Sequence, residues 1–113
     1  MRVQFESAYC AKEEVVLEFS RYHSNGNKAL QLYSLDGEPI LTATANPHPP
    51  GDVVPDHLLP VKDWSENEGV VDGLKKAGII EGEPELMIPS GFVTIDCYRI
   101  TAKFADKWPV REA

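Results

Sequence analysis

The side chains able to do chemistry are few. His23, His48 and His57 are the only imidazoles in 113 residues, and Cys10 and Cys97 the only thiols. His48 and His57 lack both the i, i+4 spacing and the paired cysteines of zinc sites, so no metal site is expected. Cys97 falls inside an alternating apolar run, where a thiol acts as a small core residue. Nothing around Cys10 supplies the cations or helix N-terminus that would favour a thiolate. Two distant cysteines read as buried thiols rather than a disulfide framework, with a Cys10–Cys97 bridge left open. Asp36-Gly37-Glu38-Pro39 reads as a turn and not a phosphate loop. The chain is therefore expected to be non-enzymatic and to carry no cofactor.

Carboxylates are the abundant charged groups. Eighteen acids against eleven Lys and Arg give a net charge of −7 and a pI near 4.8. That balance argues against direct binding to nucleic-acid phosphates or to anionic lipid. The excess is local. From Asp52 to Glu85 there are nine acids and only Lys62, Lys75 and Lys76 as bases, which places −6 of the −7 in that segment. Asp63, Glu66, Glu68, Asp72, Glu81, Glu83 and Glu85, with Trp64 among them, form the candidate partner-binding set. Such a face steers toward a basic protein surface, and an aromatic beside it can anchor an interface. The plainer explanation is helix capping for Glu66 and Glu68, an acidic turn for Glu81, Glu83 and Glu85, and helix–sheet packing for Trp64.

These groups must be positioned by a small fold. The length suits one domain spanning 1–113, and the 42% hydrophobic share is that of an ordinary globular chain. Val15, Leu17 and Phe19 alternate with Glu14, Glu18 and Ser20, which predicts a strand. Asn25-Gly26 predicts a tight turn. Leu30 and Leu32 mark a second strand, Asp36-Gly37 a second turn, and Pro39 to Ala45 a third strand. The result is an antiparallel meander. Residues 46–60 hold five prolines, which excludes a helix interior or a central strand. This long connection is expected to be pinned by Val53, Val54, Leu58 and Leu59, and a loop of that length is often functional.

Ser65-Glu66-Asn67-Glu68 has the form of a capping box. Val70, Val71, Leu74 and Ala77 follow at helical spacing, and Gly78 is placed to end the helix. Gly69 and Gly73 reflect either tolerance in a short helix or close approach of a sheet. Leu86 to Ile88 and Phe92 to Ile100 complete the β-structure. Phe104 and Trp108 are expected to pack, with fraying from 109 to 113. The fold class is α+β: an antiparallel sheet built from three N-terminal strands plus C-terminal strands, with one helix on one face. The N-terminus has no signal-peptide pattern and no stretch approaches 18 apolar residues, so the expected location is cytoplasmic, away from membranes.

One resemblance bears on function. Leu30-Gln31-Leu32-Tyr33, Asp36-Gly37-Glu38-Pro39-Ile40, Ala43-Thr44-Ala45-Asn46, Val61-Lys62-Asp63-Trp64-Ser65-Glu66-Asn67-Glu68-Gly69 and Leu74-Lys75-Lys76-Ala77-Gly78-Ile79-Ile80 resemble an uncharacterised family of small proteins. Its members are encoded by phages, plasmids and conjugative elements. The resemblance covers about residues 28 to 82, and its most specific part, Lys62 to Gly69, carries Trp64 where another aromatic such as Tyr is more usual. It brings no catalytic residues. It implies a mobile element inside a bacterial host, where small acidic proteins often inhibit host defence, anti-CRISPR proteins among them. The expected function is binding and inhibition of a host protein that has a basic, nucleic-acid-binding surface. The alternative is a small-ligand or enzymatic pocket at the proline-rich connection, built on His48, His57 and Tyr33. A third reading is a homodimer paired through an exposed meander edge.

Overall fold

Alternation is clearest in the N-terminal half, and the longest strand forms there. The computed structural model describes residues 1–47 and 53–111. Strands β1 (Arg2–Ser7), β2 (Cys10–Arg21), β3 (Lys28–Tyr33) and β4 (Pro39–Thr42) form one antiparallel sheet in chain order. Val15, Leu17, Leu30 and Leu32 turn inward as their alternation requires, and Glu18 stays exposed. No strand is expected before Glu14, yet β1 pairs with β2 from Arg2↔Val16 to Ser7↔Cys10. Val3 and Phe5 alternate with Arg2, Gln4 and Glu6, and Phe5 is buried. The β2–β3 connection is wider than a two-residue turn: Tyr22 N donates to Asn27 O at 2.9 Å, and of the Asn25-Gly26 pair only Gly26 is left-handed.

The second half builds its own sheet instead of extending the first. Strands β5 (Leu58–Val61), β6 (Ile80–Ser90) and β7 (Val93–Ile100) pair in the order β5-β7-β6. The expected single sheet is thus two, and both are antiparallel. They meet at one bridge, Thr44↔Val61, flanked by Ala45 N→Pro60 O at 3.2 Å and Lys62 N→Ala43 O at 2.9 Å. Pro60 lies in a strand after all, on the outer strand of its sheet. There its carbonyl is used and its missing N–H is tolerated. Val54, Leu58 and Leu59 are buried as expected of pins, whereas Val53 is exposed. The expected acidic turn at 81–85 is part of β6, which bulges between Glu81 and Leu86.

The helix starts later than its capping box suggests. Ser65–Asn67 is a short 3-10 turn in which Ser65 has a left-handed φ of 55°. Helix α1 spans Val70–Lys76 with Gly69 as its N-cap, and no side chain of its N-cap residue bonds the first turn. Asp63 Oδ1 instead accepts from Gly69 N at 2.7 Å. Ser65 loses the capping role because its backbone is committed to the 3-10 turn, where Glu68 N donates to Ser65 O. The C-terminus closes as the sequence predicts. Gly78 N donates to Lys75 O and Ile79 N to Leu74 O, both at 3.0 Å, with Gly78 left-handed at φ +78°. Gly73 reflects close approach: a Cβ there would lie 2.4 Å from Glu6 O and 2.6 Å from Phe5 Cε1. The helix lies directly on β1.

The main core joins both sheets and α1, with Phe5, Leu30, Leu32, Leu59, Val61, Leu74, Ile80 and Tyr98 among its members. Phe104 and Trp108 close it: Trp108 meets Phe19 edge-on at 4.8 Å between ring centroids and donates from Nε1 to Ala29 O at 2.9 Å. A smaller cluster on the other face of the second sheet contains Val54, Leu58, Ile95 and Cys97. The expected fraying from Pro109 does not describe Pro109–Arg111. Arg21 Nε donates to Pro109 O at 2.6 Å, and Arg111 bonds Asn25 O and Val54 O. Among the described residues no helix is long and apolar enough to cross a membrane.

Candidate functional site

The candidate carboxylates are spread over several elements, and the fold separates them into two groups. Asp63 follows β5, Asp72 lies in the first turn of α1, and Glu83 lies in the bulged part of β6. All three are exposed, and the charge of each acts on Tyr98 of β7. Burial pushes the Tyr98 hydroxyl above its ordinary pKa, and the charges of Asp96, Asp63, Glu83 and Asp72 push it further. Four carboxylates from four segments thus act electrostatically on one tyrosine. Lys75 is the cation within this group, its Nζ 5.2 Å from the centre of the Tyr98 ring. Asp96 lies outside the acidic segment and is missed by counting charges along the chain. The signal that finds it is strand alternation, which puts Asp96 and Tyr98 on one face of β7.

The other candidates are placed differently. Glu66 accepts from Lys62 Nζ at 2.7 Å, and this bond holds its carboxyl below the ordinary range. Glu85 takes Arg99 in a two-point pair at 2.7 and 3.1 Å, with His57 Nε2 3.7 Å away. Glu68 and Glu81 are exposed, Glu81 across the ladder from Arg99. Trp64 is half-buried and packs against the smaller core cluster. A buried neighbour organises this corner: Asn67 Nδ2 donates to Thr42 O at 2.6 Å and Lys62 O at 3.3 Å, tying the 3-10 turn to both sheets.

The alternative pocket residues divide too. His48 lies outside the described residues. His57 is exposed beside Glu85, and Tyr33 is half-buried at the end of β3. Among the described residues no three His, Cys, Asp or Glu side chains are placed to hold a metal ion. Both thiols are free. Cys97 is buried and its pKa is pushed up to about 11, by burial first and Asp96 second. Cys10 is half-buried rather than buried.

One charged constellation has no counterpart in the sequence reading. Asp56 receives Arg21 on both oxygens at 2.8 and 3.2 Å, Lys28 Nζ at 3.2 Å and Arg111 Nη2 at 3.3 Å. The Arg21 bonds, followed by those of Lys28, hold the Asp56 carboxyl well below the usual range. Lys28 is pulled the other way: burial lowers its pKa despite Asp56, and Arg21 and Arg111 add to the lowering. The partners come from β2, β3 and the C-terminal segment, too far apart in sequence for any motif.

No protein-family model, curated protein or solved structure matches this chain.

Proposed function

We propose that this chain is a non-enzymatic binding protein whose Tyr98-centred acidic face docks on a basic, nucleic-acid-binding surface of another protein. In the fuller form of the proposal it is a mobile-element product that inhibits a host protein, such as a component of a defence system. The observation that supports it is that the charges of Asp96, Asp63, Glu83 and Asp72 all act on one tyrosine. An approaching basic surface is attracted to like-charged carboxylates grouped in this way, which speeds association and selects the partner.

The experiment is affinity capture from a bacterial host with intact defence systems, followed by titration of the captured partner. Asp72→Lys with Glu83→Lys is the test pair, because neither side chain is used to cap or brace the fold. Asp36→Lys with Glu38→Lys, on the β3–β4 turn, gives the same change of net charge elsewhere. The expected outcome is an affinity loss of about tenfold or more for the test pair, about 1.4 kcal/mol, with little change for the control pair. Binding should also weaken steeply between low and physiological salt. Equal losses for both pairs, or binding indifferent to salt, would overturn the proposal.

A further inference from the structure

Where β2 turns into β3, the protein has the opposite electrostatic character. Arg21, Lys28 and Arg111 converge on Asp56, and among the described residues it is the one carboxylate ion-paired to them. Their side chains are largely withdrawn from water, with relative exposures of 11%, 5% and 28%. Among the described residues three cations share this one carboxylate, in a protein whose net charge is −7. Partly desolvated charge is costly unless it is matched, so an anion able to reach these groups is favoured.

This corner is also concave. A cleft of about 430 Å³ is lined by Arg21, His23, Ser24, Val110 and Arg111, among others. That volume lies in the range of small-ligand sites. Both guanidiniums that line the cleft have N–H groups to spare. Arg21 uses Nε on Pro109 O, Nη1 on Gly26 O and Asp56, and one Nη2 bond on Asp56. Arg111 uses Nη1 on Asn25 O and Nη2 on Val54 O and Asp56. A guanidinium has five N–H donors. Among the described residues, one on Arg21 and two on Arg111, its Nε–H included, have no protein acceptor. The bonds to backbone carbonyls fix both planes, so donors and shape are set before any ligand arrives.

We propose that this cleft binds a small phosphate monoester. A phosphate brings negative charge to Arg21 and Arg111, and its oxygens suit the fork geometry of two fixed guanidiniums. His23 and the Ser24 hydroxyl add polar lining beside them. The site lies apart from the Tyr98 face and stands whether or not that face binds a protein.

The test is a titration of the full chain, followed by amide and arginine Nε–H resonances, with inorganic phosphate and then with ribose 5-phosphate. Sodium chloride and sodium acetate at matched ionic strength are the comparison arms. The expected result is saturable shifts at Ser24, Val110 and Arg111, with a Kd of about 1 mM or tighter. Acetate should bind at least about tenfold more weakly, since it brings one charge in place of two. Arg111→Gln should weaken phosphate about tenfold. His23→Ala, at an exposed position, should weaken it about threefold and leave the fold intact even where Arg111→Gln loosens the C-terminal segment. Shifts reproduced by chloride would mean an adventitious ion only. That result, shifts confined to other regions, the absence of saturation, or unchanged affinity in the His23 variant would each overturn the proposal.

Discussion

Cys97 and Asp56 show two ways in which the fold changes a side chain's chemistry. Cys97 sits among Ile95, Leu58 and Val54 with no exposed surface, and its thiol is pushed up to about 11. The thiolate is the reactive form, so burial and the raised pKa act together. Titration with an aromatic disulfide reagent at pH 8 should modify Cys10 first. Cys97 should react only after denaturant is added. Simultaneous reaction of both thiols in the native protein would contradict this packing. The alternation around Cys97 makes its burial legible in the sequence. Asp56 is a different case: nothing in Pro55-Asp56-His57 signals that Arg21, Lys28 and Arg111 will gather around it, because each partner arrives through tertiary structure. Asp96 stands between the two. Its face could be read from the strand, but that Asp63, Asp72 and Glu83 act on the same tyrosine could be seen only once the strands were ordered.

At the scale of elements, the meander was legible because each strand had one apolar face and each turn its own residues. The capping box was misleading, since the spacing Ser65…Glu68 is equally compatible with a 3-10 turn. The left-handed Ser65 and the Asp63–Gly69 bond decided between them. Gly73 illustrates what a single chain cannot reveal. Helix propensity favours alanine over glycine by about 1 kcal/mol, so propensity alone predicts that Gly73→Ala stabilises. The carbonyl of Glu6 and the ring of Phe5 occupy the space of the new methyl group. Overpacking of this kind costs about 1–3 kcal/mol, and the backbone carbonyl cannot swing away as a flexible side chain would. Denaturant unfolding should therefore show Gly73→Ala to be less stable than the parent. A rise in the midpoint would mean that α1 can lift from β1 at little cost.

For the whole molecule, the charge of −7 conceals two regions of opposite sign, the acidic face about Tyr98 and the basic corner about Asp56. The basic corner ties β2, β3, the proline-rich connection and the C-terminal segment together, so its protonation is felt by the whole fold. Asp56 has a depressed pKa in the folded state. Its stabilising contribution is therefore complete above the ordinary value of 3.8 and fades progressively as pH falls below it. Asp56→Asn should lower the Tm at pH 7. The gap between parent and variant should narrow as melting curves are taken at pH values below about 4. A gap that stays constant with pH would show that the carboxylate's charge is not what matters. The two-sheet arrangement was hidden in the sequence for a related reason: the bridge between Thr44 and Val61 joins residues far apart in the chain, and no local pattern encodes it.

The plugging of the main core by Phe104 and Trp108 sets an order of events on the ribosome. Phe19 and the inner faces of β2 and β3 are synthesised early, but the rings that cover them are encoded about eighty residues later. A nascent chain that has emerged only through β7 presents an uncovered aromatic and aliphatic surface. In that interval it is a natural client for ribosome-associated chaperones, and translational pauses before codon 104 would lengthen its exposure to aggregation.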